Sequence, residues 1–126
     1  MSQVLDASAL LTLLHEEPGA RDVERALNGA LVSTVNWAEV VQKSLKRQAD
    51  VSWMRKGFSE VGVIFEPFTL VQAETAARLW NKTYRYGLSL ADRACIALAM
   101  DRQLPILTAD RAWAELDLVI EIRLLR

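Results

Sequence analysis

Cysteine is nearly absent from this chain. Cys95 is the only one in 126 residues, so no intramolecular disulfide can form and a secreted disulfide scaffold is excluded. Its neighbours Ala94, Ile96, Ala97 and Leu98 predict a small buried hydrophobe, suited to a reducing cytoplasm. Histidine is equally scarce: His15 lies far from Cys95 in sequence, which leaves no donor set for zinc. Neither charge sign dominates. Fifteen Lys and Arg against 16 Asp and Glu give a net charge of -1, which is not the bulk signature of a nucleic-acid binder. No apolar run approaches the ~18 residues of a membrane span, and Met1-Ser2-Gln3 with Asp6 close behind lacks the basic start and apolar stretch of a signal peptide. What is present is a globular composition, 52% hydrophobic and 25% charged, without repeats, linkers or low-complexity segments. Residues 1–126 therefore read as a single domain, large enough to fold without a structural metal.

Short apolar runs alternate with helical patterns, the pattern of an α/β domain with a central, mostly parallel sheet of about five strands flanked by helices. Val4-Leu5 begins a strand that stops at Asp6, and Ala9, Leu10, Leu11 and Leu14 follow at helical spacing up to Pro18-Gly19. A helix over 21–28 ends at Asn28-Gly29, before a strand at Ala30 to Ser33. Trp37, Val40, Val41 and Leu45 form the next helical stripe. A helix from Asp50 carries Trp53, Met54 and Phe58, and Gly62 closes it ahead of a strand at Val63 to Pro67. The spacing then predicts one long helix from Leu70 to Tyr86, stopped by Gly87. The helix Leu90 to Met100, capped by Ser89, is apolar almost all round and so predicted to be buried. Pro105 to Thr108 makes a fourth strand, a helical turn covers 112–116, and Val119 to Leu124 alternates as an edge strand.

In right-handed β-α-β units, strand C-termini and helix N-termini share one edge of the sheet. Four acids fall on that edge: Asp6 and Asp110 end strands, while Glu39 and Asp92 lie in the first turns of helices. Like charges a few ångströms apart repel by ~4 kcal/mol per pair at an effective dielectric near 20, and a divalent cation removes that cost. Oxygen ligands favour Mg²⁺ or Mn²⁺. Capping accounts for each acid separately. Asp6 or Ser8 can cap the first helix, Asp110 the turn after it, and Asn36-x-x-Glu39 and Ser89-x-x-Asp92 both have the spelling of a capping box. On a helical wheel Glu39 lies opposite the Trp37/Val41/Leu45 stripe, which taken alone makes it solvated. Four such positions on one edge favour a metal site jointly.

The segments Val4-Leu5-Asp6-Ala7-Ser8-Ala9-Leu10, Ser33 to Val40 with Trp37-Ala38-Glu39-Val40, Leu88-Ser89-Leu90-Ala91-Asp92-Arg93-Ala94 and Pro105-Ile106-Leu107-Thr108-Ala109-Asp110-Arg111 together resemble the PIN-domain ribonucleases, and more narrowly the VapC-type toxins of toxin-antitoxin pairs. The resemblance runs over essentially the whole chain. It implies that Asp6, Glu39, Asp92 and Asp110 are the catalytic and metal-binding acids, with Thr108 and Ser8 as accompanying polar residues. It further implies endoribonuclease activity through Mg²⁺ or Mn²⁺, leaving a 5′-phosphate and a 3′-hydroxyl. Metal ions in such sites polarise a phosphodiester oxygen and activate water, so His15 is not required and reads as a surface or packing residue. A cognate antitoxin blocking the acidic groove, an RNA substrate, a homodimer and a cytoplasmic location are also implied.

RNA needs basic residues outside an acidic pocket. Lys43, Lys46, Arg47, Arg55 and Lys56 with Trp53 form one candidate cluster, and Arg78, Lys82 and Arg85 another. Arg93 and Arg111 directly follow two of the acids, where they either hold phosphate or pair with the acids. Trp37, Trp53, Met54, Phe58 and Trp80 exceed the needs of a small core, which fits an apolar partner groove. The competing reading is a non-catalytic binding module of the same fold whose acids serve only as caps. A phosphoacceptor domain would need an acidic pair after the first strand, and a haloacid dehalogenase-type phosphatase an Asp where Ser8 stands.

Overall fold

The computed structural model describes residues 2–126; Met1, the first residue of the predicted domain span, lies outside them. Five short strands form one parallel sheet in the order β3-β2-β1-β4-β5: β1 Val4–Leu5, β2 Leu31–Ser33, β3 Ile64–Glu66, β4 Ile106–Thr108 and β5 Ile122–Leu124. Around them pack α1 Ala7–Leu14, α2 Ala20–Ala26, α3 Thr34–Lys46, α4 Val51–Glu60, α5 Leu70–Arg78, α6 Trp80–Thr83 and α7 Leu90–Arg102, with 3-10 turns at Tyr84–Tyr86 and Arg111–Glu115. Among the described residues, no helix is long and apolar enough to cross a membrane.

Strand alternation divides the core in two. Leu5, Val32 and Leu107 pack on one face with Leu10, Val23, Val40 and Phe58, while Val4, Leu31 and Ile106 pack on the other with Ile96, Leu98 and Trp113. Both faces of the three inner strands are therefore covered, which is why they read as continuous apolar runs. Residues Ala94 through Ala99 of α7 are wholly buried, as its apolar circumference predicts. Gly62, at φ +104° between α4 and β3, has the left-handed backbone that glycine allows, and a side chain there would run into Asn28.

Four expectations change. The single helix over 70–86 is broken into α5, α6 and a 3-10 turn. At the break the Thr83 hydroxyl donates to the Leu79 carbonyl (2.9 Å), and Arg93 Nη1 donates to the Ala76 carbonyl (2.9 Å). The inner face of α3 is Asn36, Val40 and Ser44, so Leu45 turns outward. Strand β5 begins only at Ile122, and Val119 is almost fully exposed. Of the supposed surplus aromatics, Phe58 is buried and Trp37 packs on Phe58 and Phe65, whereas Trp53 and Trp80 remain exposed.

Candidate active site

The strand register sets the floor of the site. Leu5 pairs with Leu107 and Val4 with Leu31, so Asp6 stands level with Thr108 on one side and Ser33 on the other, at the C-terminal edge of the sheet. All three are buried, Asp6 at 3% exposure. Asp6 Oδ1 accepts from the Ser8 hydroxyl (2.7 Å) and the Ala9 amide (2.9 Å), and Oδ2 accepts from the Thr108 hydroxyl (2.5 Å). Each hydroxyl has one proton and gives it to Asp6, while its oxygen accepts an amide from the segment after β4: Ala109 N on Ser8 (2.9 Å) and Asp110 N on Thr108 (3.1 Å). Asp6 and Asp110 are thereby held by one network. Burial pushes the Asp6 carboxyl up to about 6 despite these three donors, and the Asp92 charge adds to the rise.

Asp92 and Asp110 sit at their element ends for local reasons. Ser89 and Asp92 close a reciprocal capping box at the start of α7, with the Ser89 amide on Asp92 Oδ2 (2.9 Å) and the Asp92 amide on Ser89 Oγ (3.1 Å). Asp110 Oδ1 accepts from the Ala112 amide (3.0 Å). Burial raises the Asp92 carboxyl against the pull of its Ser89 hydrogen bonds, with the Asp110 charge pushing the same way. The capping spelling of Asn36-x-x-Glu39 is not a cap. Ser33 caps α3, and Asn36 lies inside the helix, fully buried, its Nδ2 donating to Glu39 Oε1 (3.3 Å) and to the Ala91 carbonyl at the start of α7 (3.1 Å). Glu39 is thus half-buried beside Asn36, not solvated, and burial followed by the Asp92 charge raises its carboxyl.

Asn36 is the residue that the sequence concealed: an asparagine shortly after a strand end reads as a cap, and only the packing of α3 on α7 makes it a clasp. Asn36→Ala is expected to cost ~1–3 kcal/mol, the loss of two hydrogen bonds from a buried donor, read as a lower melting temperature. An unchanged melt would show that the clasp contributes nothing.

The four acids face one another through their charges. Asp92 acts on Asp6 and Glu39, Asp110 acts on Asp92, and the buried Cys95 thiol is pushed up by burial and by Asp6, Asp92 and Glu39 together. Among the described residues no ion pair includes any of the four. Arg93 forms no ion pair with an acid among the described residues, although its charge lowers the Asp92 carboxyl, and its Nη1 donates to the Ala76 carbonyl. Also among the described residues, no three His, Cys, Asp or Glu side chains close into a finished metal cage. The donor set nevertheless suits a hard divalent cation: it is all oxygen and crowded with negative charge, which Lys43 near Glu39 and Arg93 near Asp92 offset only in part and, among the described residues, without an ion pair.

A family model described as the PIN domain matches residues 4–118. Comparison with curated protein sequences finds no match. Among solved structures the fold is similar to a toxin-antitoxin complex from Klebsiella pneumoniae, at 20% identity and a TM-score of 0.80 over 99% of this chain and 98% of that one. It is similar to DNA-bound VapBC from Salmonella typhimurium, at 18% identity and a TM-score of 0.72 over 100% of both chains. A third likeness is to VapC20 from Mycobacterium tuberculosis, a sarcin-ricin loop cleaving toxin, at 13% identity and a TM-score of 0.71 over 92% and 97%. At these identities the structural likeness is one of fold, and the family model extends it to sequence over nearly the whole chain: this protein belongs to the PIN domain family.

Proposed function

We propose that this protein is a metal-dependent endoribonuclease toxin, held in check by a cognate antitoxin. The observation that carries the reading is a PIN domain with four carboxylates, Asp6, Glu39, Asp92 and Asp110, on one edge of its sheet and, among the described residues, no basic side chain paired with them. Mg²⁺ or Mn²⁺ bound there supplies charge neutralisation, polarisation of a phosphodiester oxygen and activation of water. Asp6, Asp92 and Asp110 are the proposed direct ligands, with Glu39 binding directly or through water. Ser8 and Thr108 favour the charged form of Asp6 by donating their only protons to it, and Asn36 aims Glu39. The likeness to toxin-antitoxin complexes supports an antitoxin partner, a homodimer is part of the same proposal, and Cys95 as an unpaired buried thiol suits the cytoplasm.

Purified protein is expected to cut single-stranded RNA in Mg²⁺ or Mn²⁺, leaving 5′-phosphate and 3′-hydroxyl ends, and to stop in excess chelator. Full cleavage in chelator would overturn the mechanism. Co-expression with a small neighbouring reading frame is expected to restore growth and to yield a stable complex; growth that is unaffected by the folded, active chain alone would remove the toxin reading. One observation favours a second reading, a binding module without catalysis: Asp6, Asp92 and Asp110 all cap helices or turns. Metal titration separates the two, because caps alone bind no divalent ion.

A further inference from the structure

The segment from Thr75 to Ala91 carries Arg78, Lys82 and Arg85 and no acidic residue, a local charge of +3 in a chain of net -1. It contains Ser89 and leads directly into Asp92, and its 3-10 turn packs against the turn that follows Asp110. On this segment Trp80 and Tyr84, one helical turn apart, lie parallel: their ring centroids are 4.7 Å apart and their planes 19° from each other. The Arg85 guanidinium lies over the Tyr84 ring at 5.6 Å, and its Nε donates to the Tyr84 hydroxyl (3.1 Å). Both rings stay in solvent, Trp80 at 51% and Tyr84 at 45% exposure, while Leu79 and Thr83 beneath them are buried and joined by a hydrogen bond.

We infer that the Trp80–Tyr84 stack is a nucleobase-binding ledge, which receives an unpaired base of the RNA next to the acidic edge while Arg85, over the Tyr84 ring, holds the adjoining backbone. This deepens the proposed function and rests on it. An exposed flat ring already parallel to a second one, anchored by a cation on a buried support, offers a base a surface that needs little ordering to bind. Only an acidic protein partner would gain both from the apolar rings and from the positive charges of Arg78, Lys82 and Arg85, which form no ion pair among the described residues. An RNA strand uses both, and the acids next door repel it unless the basic segment attracts it first. The stack also requires the base to be unpaired, which makes the ledge selective for loops and single strands over duplex.

The test measures binding and cleavage separately, with a fluorescently labelled single-stranded RNA of mixed sequence about ten nucleotides long, close to the site sizes of single-strand binders, the same RNA in a duplex, and a version with abasic positions. Binding is read in chelator, where no cutting occurs, and cleavage in Mn²⁺. Trp80→Ala and Tyr84→Ala are expected to weaken single-strand binding by roughly five- to a hundredfold, the usual loss for one base stack, and to raise KM with kcat little changed. Trp80→Phe is expected to recover most of the affinity. The abasic RNA should bind wild type as weakly as the intact RNA binds Trp80→Ala, and Arg85→Ala should flatten the salt dependence. If an alanine variant does not fold, Trp80→Leu, apolar but without a π face, takes its place and should show the same loss. Cleaving wild type whose ledge variants bind and cut normally overturns the ledge and leaves the nuclease reading intact. Wild type that binds RNA through Trp80 but never cuts it retains the ledge and overturns the nuclease reading, and absence of any RNA binding overturns both.

Discussion

Asp6→Asn, Asp92→Asn and Asp110→Asn are each expected to reduce metal-dependent RNA cleavage by at least about a hundredfold, with the fold retained. The loss follows from charge. A ligand that contributes several kcal/mol of transition-state stabilisation through a bound cation is worth a factor of ten for every ~1.4 kcal/mol. Retention of the fold follows from hydrogen bonding. In Asp6→Asn the side-chain carbonyl can still accept from Ser8 and Ala9, and the new amide can donate to Thr108, whose proton is then free to turn toward Ser8 at 3.1 Å. In Asp92→Asn and Asp110→Asn the side-chain carbonyl still accepts the Ser89 and Ala112 amides. Glu39→Gln is expected to lose less, since Glu39 is half-exposed and is aimed by Asn36 rather than by the sheet edge. Cleavage kinetics alongside far-UV circular dichroism decide the matter: a variant that cuts at the wild-type rate has lost only a cap.

The reach of the sequence depended on how local each signal was. Asp6 and Asp110 were legible because each ends a short apolar strand, and strand polarity alone places such ends on one edge. Ser89 and Asp92 were legible because a capping box is spelled within a single turn, and the structure forms it. Glu39 was misread where the same spelling occurs by chance. The real cap is Ser33, and the inner face of α3 runs through Asn36, Val40 and Ser44, ~100° round the helix from the stripe drawn through Trp37, Val41 and Leu45. The break after Arg78 had no local signal, because Leu79 to Tyr86 contains neither glycine nor proline; it arises where Arg93, farther along the chain, takes the Ala76 carbonyl. For Arg93 the sequence shows only adjacency to Asp92, whereas a long side chain at a helix start is free to reach the neighbouring helix as well. Trp113, fully buried, has no sequence signal for a similar reason: its short 3-10 turn offers no periodicity.

The capping and metal-binding roles of these acids are compatible in geometry but opposite in their energetics, and the metal-free protein exposes the difference. Its melting temperature in chelator is expected to be higher near pH 5 than near pH 7.5, on either side of the raised Asp6 value of about 6. Asp6 has a folded pKa raised from 3.8 to about 6, chiefly by burial, so it binds more protons folded than unfolded between those values. The extra stability is fully present below the unfolded value and is lost as pH rises through about 6, roughly 3 kcal/mol in all, of which about half remains at about pH 5. For a domain of this size that corresponds to a shift on the order of 5 °C. Glu39 and Asp92, also raised by burial, work in the same direction; the lowered Glu121 works against them but is solvent-exposed and therefore weak. Mg²⁺ or Mn²⁺ at about pH 7.5 should restore the lost stability, since a ligand bound only by the native state stabilises it through that affinity. Asp6→Asn should flatten the pH dependence. Asp92→Asn should melt higher than wild type in chelator at the higher pH and gain less from metal, because removing its charge relieves burial and the repulsion of Asp110. Pure capping predicts the reverse: losing a charge from the first turn of α7 costs about 0.3 to 1 kcal/mol of dipole interaction at any metal concentration. Wild type that melts lower at the acidic pH than at the higher one, with Asp92→Asn less stable in chelator and equally responsive to metal, would assign these carboxylates to capping alone.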